Sequence, residues 1–175
     1  GLLSHLRGST GASALGAMTV SVLAGETGHQ RRELETLTRW LTRDYRPDLV
    51  ILTNSMFVGL ARYLKSVLKV PVLCCLQGED LFLNQIVEPY RTQAMDLLRC
   101  RTADVDAFIA PCIYYRDFMA NYLDVAAERI HVVPLGLNLT GHGSANPPPR
   151  APWRVAYMAR ICPEKVFHVC RLYTS

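Results

Sequence analysis

The sequence predicts an α/β protein built on a doubly wound parallel sheet, and three observations carry that prediction. Short, nearly all-apolar runs recur along the chain: "DLVILT" from Asp48, "VPVLCCL" from Val70, "VDAFIA" from Val105, "RIHVVPL" from Arg129 and "RVAYMA" from Arg154. Continuous apolar runs of this length are the mark of strands buried on both faces. Between them lie longer stretches of helical character, and a helix between two strands makes a parallel crossover.

The elements follow in order. Residues before Gly28 are weakly helical in pattern. A helix from about Gln30 to Arg43 places Leu34, Leu37, Trp40 and Leu41 on one side. After the first strand, Asn54 and Ser55 cap a helix running to about Lys69, with Phe57, Leu60, Ala61 and Leu64 inward. Pro111 suits the first turn of a helix carrying Tyr114, Phe118, Met119 and Tyr122, whose spacing reads as core packing. From Gly141 the chain turns to "GHGSANPPPRAP", a polar and then proline-rich linker. The expected organisation is a domain over 1–140, incomplete at its N-terminus, a linker over 141–152, and the truncated start of a second domain over 153–175. About two dozen residues fall short of the roughly 50 that a small domain needs, and a lone strand there is expected to pack weakly.

Composition narrows the function. The 175 residues are half hydrophobic and 19% charged, with a net charge of +4. The basic residues, Arg31 and Arg32 among them, are interspersed with acids, which reads as solvated helix faces and argues against nucleic acid as a partner. No apolar run approaches the ~20 residues that span a bilayer. Six cysteines show no C-x-x-C spacing, which argues against structural zinc and for a reduced, cytoplasmic setting. The five histidines form no ligand set, so no metal is expected.

In an open α/β sheet, ligands sit outside the carboxyl ends of the strands. The loops there are "TNS" at residues 53–55, "QGED" at 77–80, "PLGLN" at 134–138 and "ARICPEK" at 159–165. In the last, Arg160 leaves a strand and Lys165 falls in the first turn of a helix begun by Pro163. A cation opposes the helix dipole there, unless an anion such as diphosphate joins them. A lysine reaching into water is the plainer account. In "QGED", Gly78 allows a tight turn or a close ligand approach, and Glu79 and Asp80 suit hydrogen bonds from sugar hydroxyls; acids favouring a helix N-terminus are the equal alternative. Gly136 either lets the backbone pass close to a ligand or is an ordinary turn glycine. Neither a G-x-S-x-G elbow nor a G-x-G-x-x-G turn after a strand is present.

Taken in order, "PDLVILTNSMFVGLARYL", "VPVLCCLQGEDLFL", "DAFIAPCIYYRDFMANYL", "ERIHVVPLGLNL" and "RVAYMARICPEK" resemble a family 4 glycosyltransferase. The resemblance implies a retaining enzyme of the GT-B type, with two Rossmann-like domains. It further implies a nucleotide-sugar donor, held mainly by the C-terminal domain, and an acceptor held mainly by the N-terminal one. Arg160 and Lys165 match the basic pair on the donor diphosphate, doing work that a metal does in other transferases. Gly78, Glu79 and Asp80 match the acceptor-side loop, with Asn54 and Ser55 beside it in the cleft. Gly136 matches the segment entering the interdomain hinge. The acceptor is a sugar, lipid or small molecule; a lipid acceptor would bring the protein to a membrane surface. The sequence departs from the family at Gln77, where many relatives have histidine, and at Val166, where glycine is usual. The glycine-rich N-terminal loop and the E-x7-E motif are absent from it, so the piece alone is expected to be inactive. Two rivals remain: a non-catalytic α/β module that binds a sugar or protein, which would show no turnover, and a sugar-nucleotide epimerase, which would need no acceptor.

Overall fold

The computed structural model describes residues 9–141 and Met158. Apart from Met158, the expected strand "RVAYMA" and the expected helix after Pro163, with Arg160 and Lys165, lie outside the described residues. Contacts divide the chain into two units, Gly1–Gly136 and Leu137–Ser175, and the sheet with its helices belongs to the first.

Two helices come first, α1 (Ser9–Ala24) and α2 (Arg31–Trp40), the latter followed by a π-turn. Then β1 (Val50–Leu52), a 3₁₀ segment (Ser55–Leu60) running into α3 (Ala61–Leu68), β2 (Val72–Cys75), α4 (Asp80–Leu83), α5 (Tyr90–Arg101), β3 (Ala107–Ala110), α6 (Ile113–Leu123) and β4 (Ile130–Val132) alternate. The four strands pair in parallel in the order β1-β2-β3-β4. All four strands of the expected pattern that fall in the described residues are present, and the fold is α/β and Rossmann-like.

Burial on both faces of the sheet does not hold. Leu52, Cys74, Phe108 and Ile130 share one row of the register and are buried, whereas Ile51 on the other face is 51% exposed and His131 is exposed. The physical reason lies in strand order. Right-handed crossovers that always step in the same direction deliver every connecting helix to the same face, and the described strands show no reversal of order. Apolar runs therefore identify strands here without specifying how many of their faces are covered.

Helix phase differs from expectation in three places. Over Ser55–Leu60 the chain turns at three residues per turn, so Ser55, Val58 and Ala61 stack inward with Leu64, while Phe57 is turned out at 40% exposure. In α2 the buried positions are Leu34 and Thr38, and Leu37 and Trp40 are exposed. The Thr38 hydroxyl donates to the Leu34 carbonyl at 3.0 Å, which lets a polar side chain be buried satisfied. In α6 the inward side chains are Tyr115, Met119, Tyr122 and Leu123, while Tyr114 is exposed, and Pro111 precedes the helix rather than sitting in its first turn. Both phases of α6 repeat every three to four residues, so periodicity alone did not separate them.

The weakly patterned N-terminal stretch forms the 16-residue α1, which packs against α5 and the 3₁₀ segment. Small residues dominate its contacts. A Cβ on Gly16 would lie 2.7 Å from the Tyr90 side chain, and one on Gly59 2.4 Å from the Leu23 carbonyl oxygen. Faces built from glycine, serine and threonine carry little hydrophobic signal while allowing the closest backbone approach.

Charged groups fasten the amino-terminal end of the sheet. Asp106 accepts from the Val72 backbone N–H and from the Lys65 ammonium, each at 2.7 Å. Burial tends to raise the pKa of this carboxyl, but the two hydrogen bonds together with the charges of Lys65 and Arg129 outweigh it and the net direction is down. Arg101 is 6% exposed: its Nη2 donates to the Ala24 carbonyl at 2.6 Å, and Nη1 approaches Glu26 at 3.4 Å and Asp104 at 3.5 Å. Breaking a buried ion pair costs roughly 3–5 kcal/mol. Here Arg62 still faces Asp104 at 3.2 Å and Glu26 at 3.8 Å, which softens the loss. Arg101→Met is therefore expected to lower unfolding free energy by about 2 kcal/mol in urea titration. A change indistinguishable from that of Arg31→Met, in an exposed i,i+4 pair, would show that the buried guanidinium adds nothing beyond a surface charge.

Candidate functional site: the carboxyl ends of β1 and β2

Because the sheet is parallel, the loops after all four strands open at one edge. The loop after β1 begins with Asn54, whose extended backbone (φ −159°) ends the strand and whose Oδ1 accepts from the Met56 N–H at 3.1 Å. This is the helix cap expected from "NS". Ser55 is fully buried, and its Oγ has no hydrogen-bond partner among the described residues.

The loop after β2 is anchored on both sides of its glycine. Gly78 has φ +88°, a left-handed conformation that glycine adopts without strain. Nothing lies within 4 Å of where its Cβ would be, so backbone conformation and not space requires glycine there. Glu79 is 6% exposed, and both of its oxygens are engaged: Oε1 accepts from the Ser55 N–H at 2.9 Å and Oε2 from the Gln77 N–H at 2.6 Å. One carboxylate thus ties the β1 loop to the β2 loop across 24 positions of sequence. Such charge-assisted bonds to backbone N–H groups are about twice as strong as neutral ones. Asp80 starts the short helix α4 and is half-buried.

A further contributor comes from beyond β3. Tyr115, in the first turn of α6, accepts from the Gly78 N–H at 2.7 Å and donates to Asp80 Oδ1 at 2.8 Å. Burial, then the nearby Glu79 and Asp80 carboxylates, raise the pKa of its hydroxyl, so it stays protonated and able to donate. Burial likewise raises the Cys74 thiol, with Glu79 adding to it, which makes Cys74 an inert core residue. Cys74, Cys75, Cys100 and Cys112 are all free thiols.

Of the residues the sequence singles out, Asn54, Ser55, Gly78, Glu79 and Asp80 come together at the ends of β1 and β2. Gly136 ends the first unit, with no neighbour within 4 Å of a Cβ built on it. Arg160 and Lys165 lie outside the described residues. Tyr115 is the participant the sequence did not reveal, since its partners stand 35 and 37 positions away. A concavity of about 460 Å³ lies away from this rim, lined by Arg32, Glu33, Thr36, Leu37 and Trp40 along α2. That groove is the flank of a single helix and holds no converging polar groups from separate elements.

A family model described as a glycosyl transferase 4-like domain matches residues 5–136. The chain belongs to that family. The matched region contains the described sheet, the two anchored loops and Tyr115, so the glycosyl transferase 4-like domain coincides with the unit described above. Comparison with curated proteins gives no match. Among the described residues, no helix of this glycosyl transferase 4-like domain is long and apolar enough to cross a membrane.

Proposed function

We propose that this glycosyl transferase 4-like domain forms the acceptor-side wall of a retaining transferase that moves a sugar from a nucleotide-sugar to an acceptor hydroxyl. The acceptor is a sugar, a lipid or a small molecule, and the enzyme works in the cytoplasm. The reading is carried by the family match over residues 5–136, on a sheet whose β1 and β2 loops are tied into one rim by Glu79. In this scheme Asn54 and Ser55 shape the rim, Glu79 orders it, and Gly78 and Asp80 meet the acceptor. Gly136 carries the chain into the hinge.

In the same reading, Arg160 and Lys165 hold the donor diphosphate. A guanidinium binds two phosphate oxygens at once and an ammonium supplies a compact charge, so together they stabilise the leaving diphosphate without a metal. Transfer needs donor and acceptor held in register.

The test uses the 175-residue chain and the nucleoside diphosphates UDP, GDP and ADP, titrated separately by calorimetry. At least one is expected to bind, with Arg160→Ala and Lys165→Ala each weakening it tenfold or more, about 1.4 kcal/mol. Absence of binding by all three, or affinity unchanged in both variants, would overturn the donor assignment.

A further inference from the structure

We propose that Tyr115 is the positioning residue of the acceptor site: its hydroxyl clamps the 77–80 loop so that one oxygen of Asp80 is held for an acceptor hydroxyl. The inference rests on the acceptor-side reading of that loop given above. It comes from hydrogen-bond geometry. The Tyr115 oxygen accepts from the Gly78 N–H at 2.7 Å and donates to Asp80 Oδ1 at 2.8 Å, so a single atom fixes both the peptide before Glu79 and the side chain after it. Glu79 fixes the same loop from the other side through Gln77 and Ser55. Gly78, which alone would leave the turn soft, is thereby held between two anchors.

The tyrosine is itself held. Its ring stacks on Phe118 at 6.0 Å between centroids, and Phe118 stacks on Tyr122 at 5.8 Å, with both pairs tilted by only 19°. Tyr122 in turn donates to Asn84 Oδ1 at 3.1 Å, one residue beyond α4. The aromatic ladder of α6 therefore grips α4 at both ends, at Asp80 and at Asn84. Asp80 Oδ1 is committed to Tyr115, while Oδ2 has no hydrogen-bond partner among the described residues. A half-buried carboxylate with one oxygen locked and the other free is oriented to accept from a hydroxyl, the group a sugar or sugar-like acceptor presents.

Tyr115→Phe removes the hydroxyl and keeps the stacked ring. In ¹⁵N-labelled protein, hydrogen exchange at the Gly78 amide is expected to rise at least about fivefold, the scale of one hydrogen bond, with the Gln77 amide, held by Glu79, nearly unchanged. D-glucose serves as the hydroxyl probe: in the wild type it should shift the Gly78, Asp80 and Leu81 amide resonances, and Tyr115→Phe should weaken that binding about fivefold or more. Asp80→Asn, which keeps an oxygen for Tyr115, should preserve Gly78 protection and still weaken the sugar. Unchanged Gly78 exchange in Tyr115→Phe, or equal acceleration at Gln77, overturns the clamp. A wild type whose loop resonances ignore glucose overturns the role of Asp80. None of these readouts needs turnover or a donor, so a chain that binds no nucleoside diphosphate, yet loses Gly78 protection on Tyr115→Phe, would overturn the donor assignment and retain the clamp.

Discussion

Gly25→Ala is expected to cost about 2–4 kcal/mol of unfolding free energy, from overpacking of roughly 1–3 kcal/mol and a left-handed backbone penalty of about 1 kcal/mol. Gly25 has φ +63°, and a Cβ there would lie 1.9 Å from the Gly59 carbonyl oxygen and 2.8 Å from its carbon. The obstructing atoms are backbone, so no side chain can swing away. Gly59 is equally confined from the other direction, its own missing Cβ pointing at the Leu23 and Val22 carbonyls. The end of α1 and the 3₁₀ segment before α3 therefore touch main chain to main chain, and that contact fixes how the N-terminal helix sits beside the element that follows β1. Gly78→Ala is the control: its backbone is also left-handed, but its surroundings are open, so only the conformational penalty of about 1 kcal/mol applies. Thermal unfolding of the two variants should separate them, with Gly25→Ala melting lower by several degrees more, since about 1 kcal/mol moves a domain of this size by roughly 2–4 °C. Equal melting temperatures would mean that the close approach does not constrain the fold.

Glu79→Gln is the second large effect, expected at about 3 kcal/mol and accompanied by loss of any acceptor-dependent activity. An amide offers one oxygen where the carboxylate offers two. Whichever of the Ser55 and Gln77 N–H groups loses its acceptor then faces an –NH₂ donor in a site with 6% exposure. Hydrogen bonds to a charged group contribute roughly 1.5–3 kcal/mol each, and an orphaned buried donor adds its own desolvation cost. Glu79→Asp keeps the charge but is one methylene shorter, so it should retain one of the two bonds and fall between wild type and Glu79→Gln. The check is urea unfolding combined with hydrogen exchange at the Ser55 and Gln77 amides. A Glu79→Gln protein within about 1 kcal/mol of wild type, no more than one ordinary hydrogen bond, would show that the bridge between the β1 and β2 loops is incidental.

These two predictions draw on features of very different visibility. Asn54 was legible as a cap and Gly78 as a turn because each depends on residues one or two positions away: a side-chain oxygen reaching a nearby N–H, or a backbone angle that favours glycine. The "QGED" stretch was legible as a site loop because a polar turn at the end of an apolar strand faces the ligand edge of such sheets. The specific role of Glu79 was not, because its decisive partner, the Ser55 N–H, belongs to the neighbouring strand's loop. Tyr115 was hidden more thoroughly. A helix with Tyr114, Tyr115, Phe118 and Tyr122 presents two acceptable apolar phases, and only packing against β3 and β4 in the folded chain selects the one that turns Tyr115 inward.

By itself, the sequence determined which described segments are strand, that the turn after β2 suits glycine, where the helix after β1 is capped, and that the chain is α/β with its polar loops on one edge. These are properties of short segments, set by side-chain period and local backbone sterics. Only the tertiary structure decided that the helices cover one face of the described sheet, that α1 lies against its neighbours through bare backbone, and that Glu79 and Tyr115 fasten two loops and the start of α6 into one rim. Those outcomes depend on distances between groups far apart in the chain, which no local pattern encodes until crossover direction and close packing bring them together.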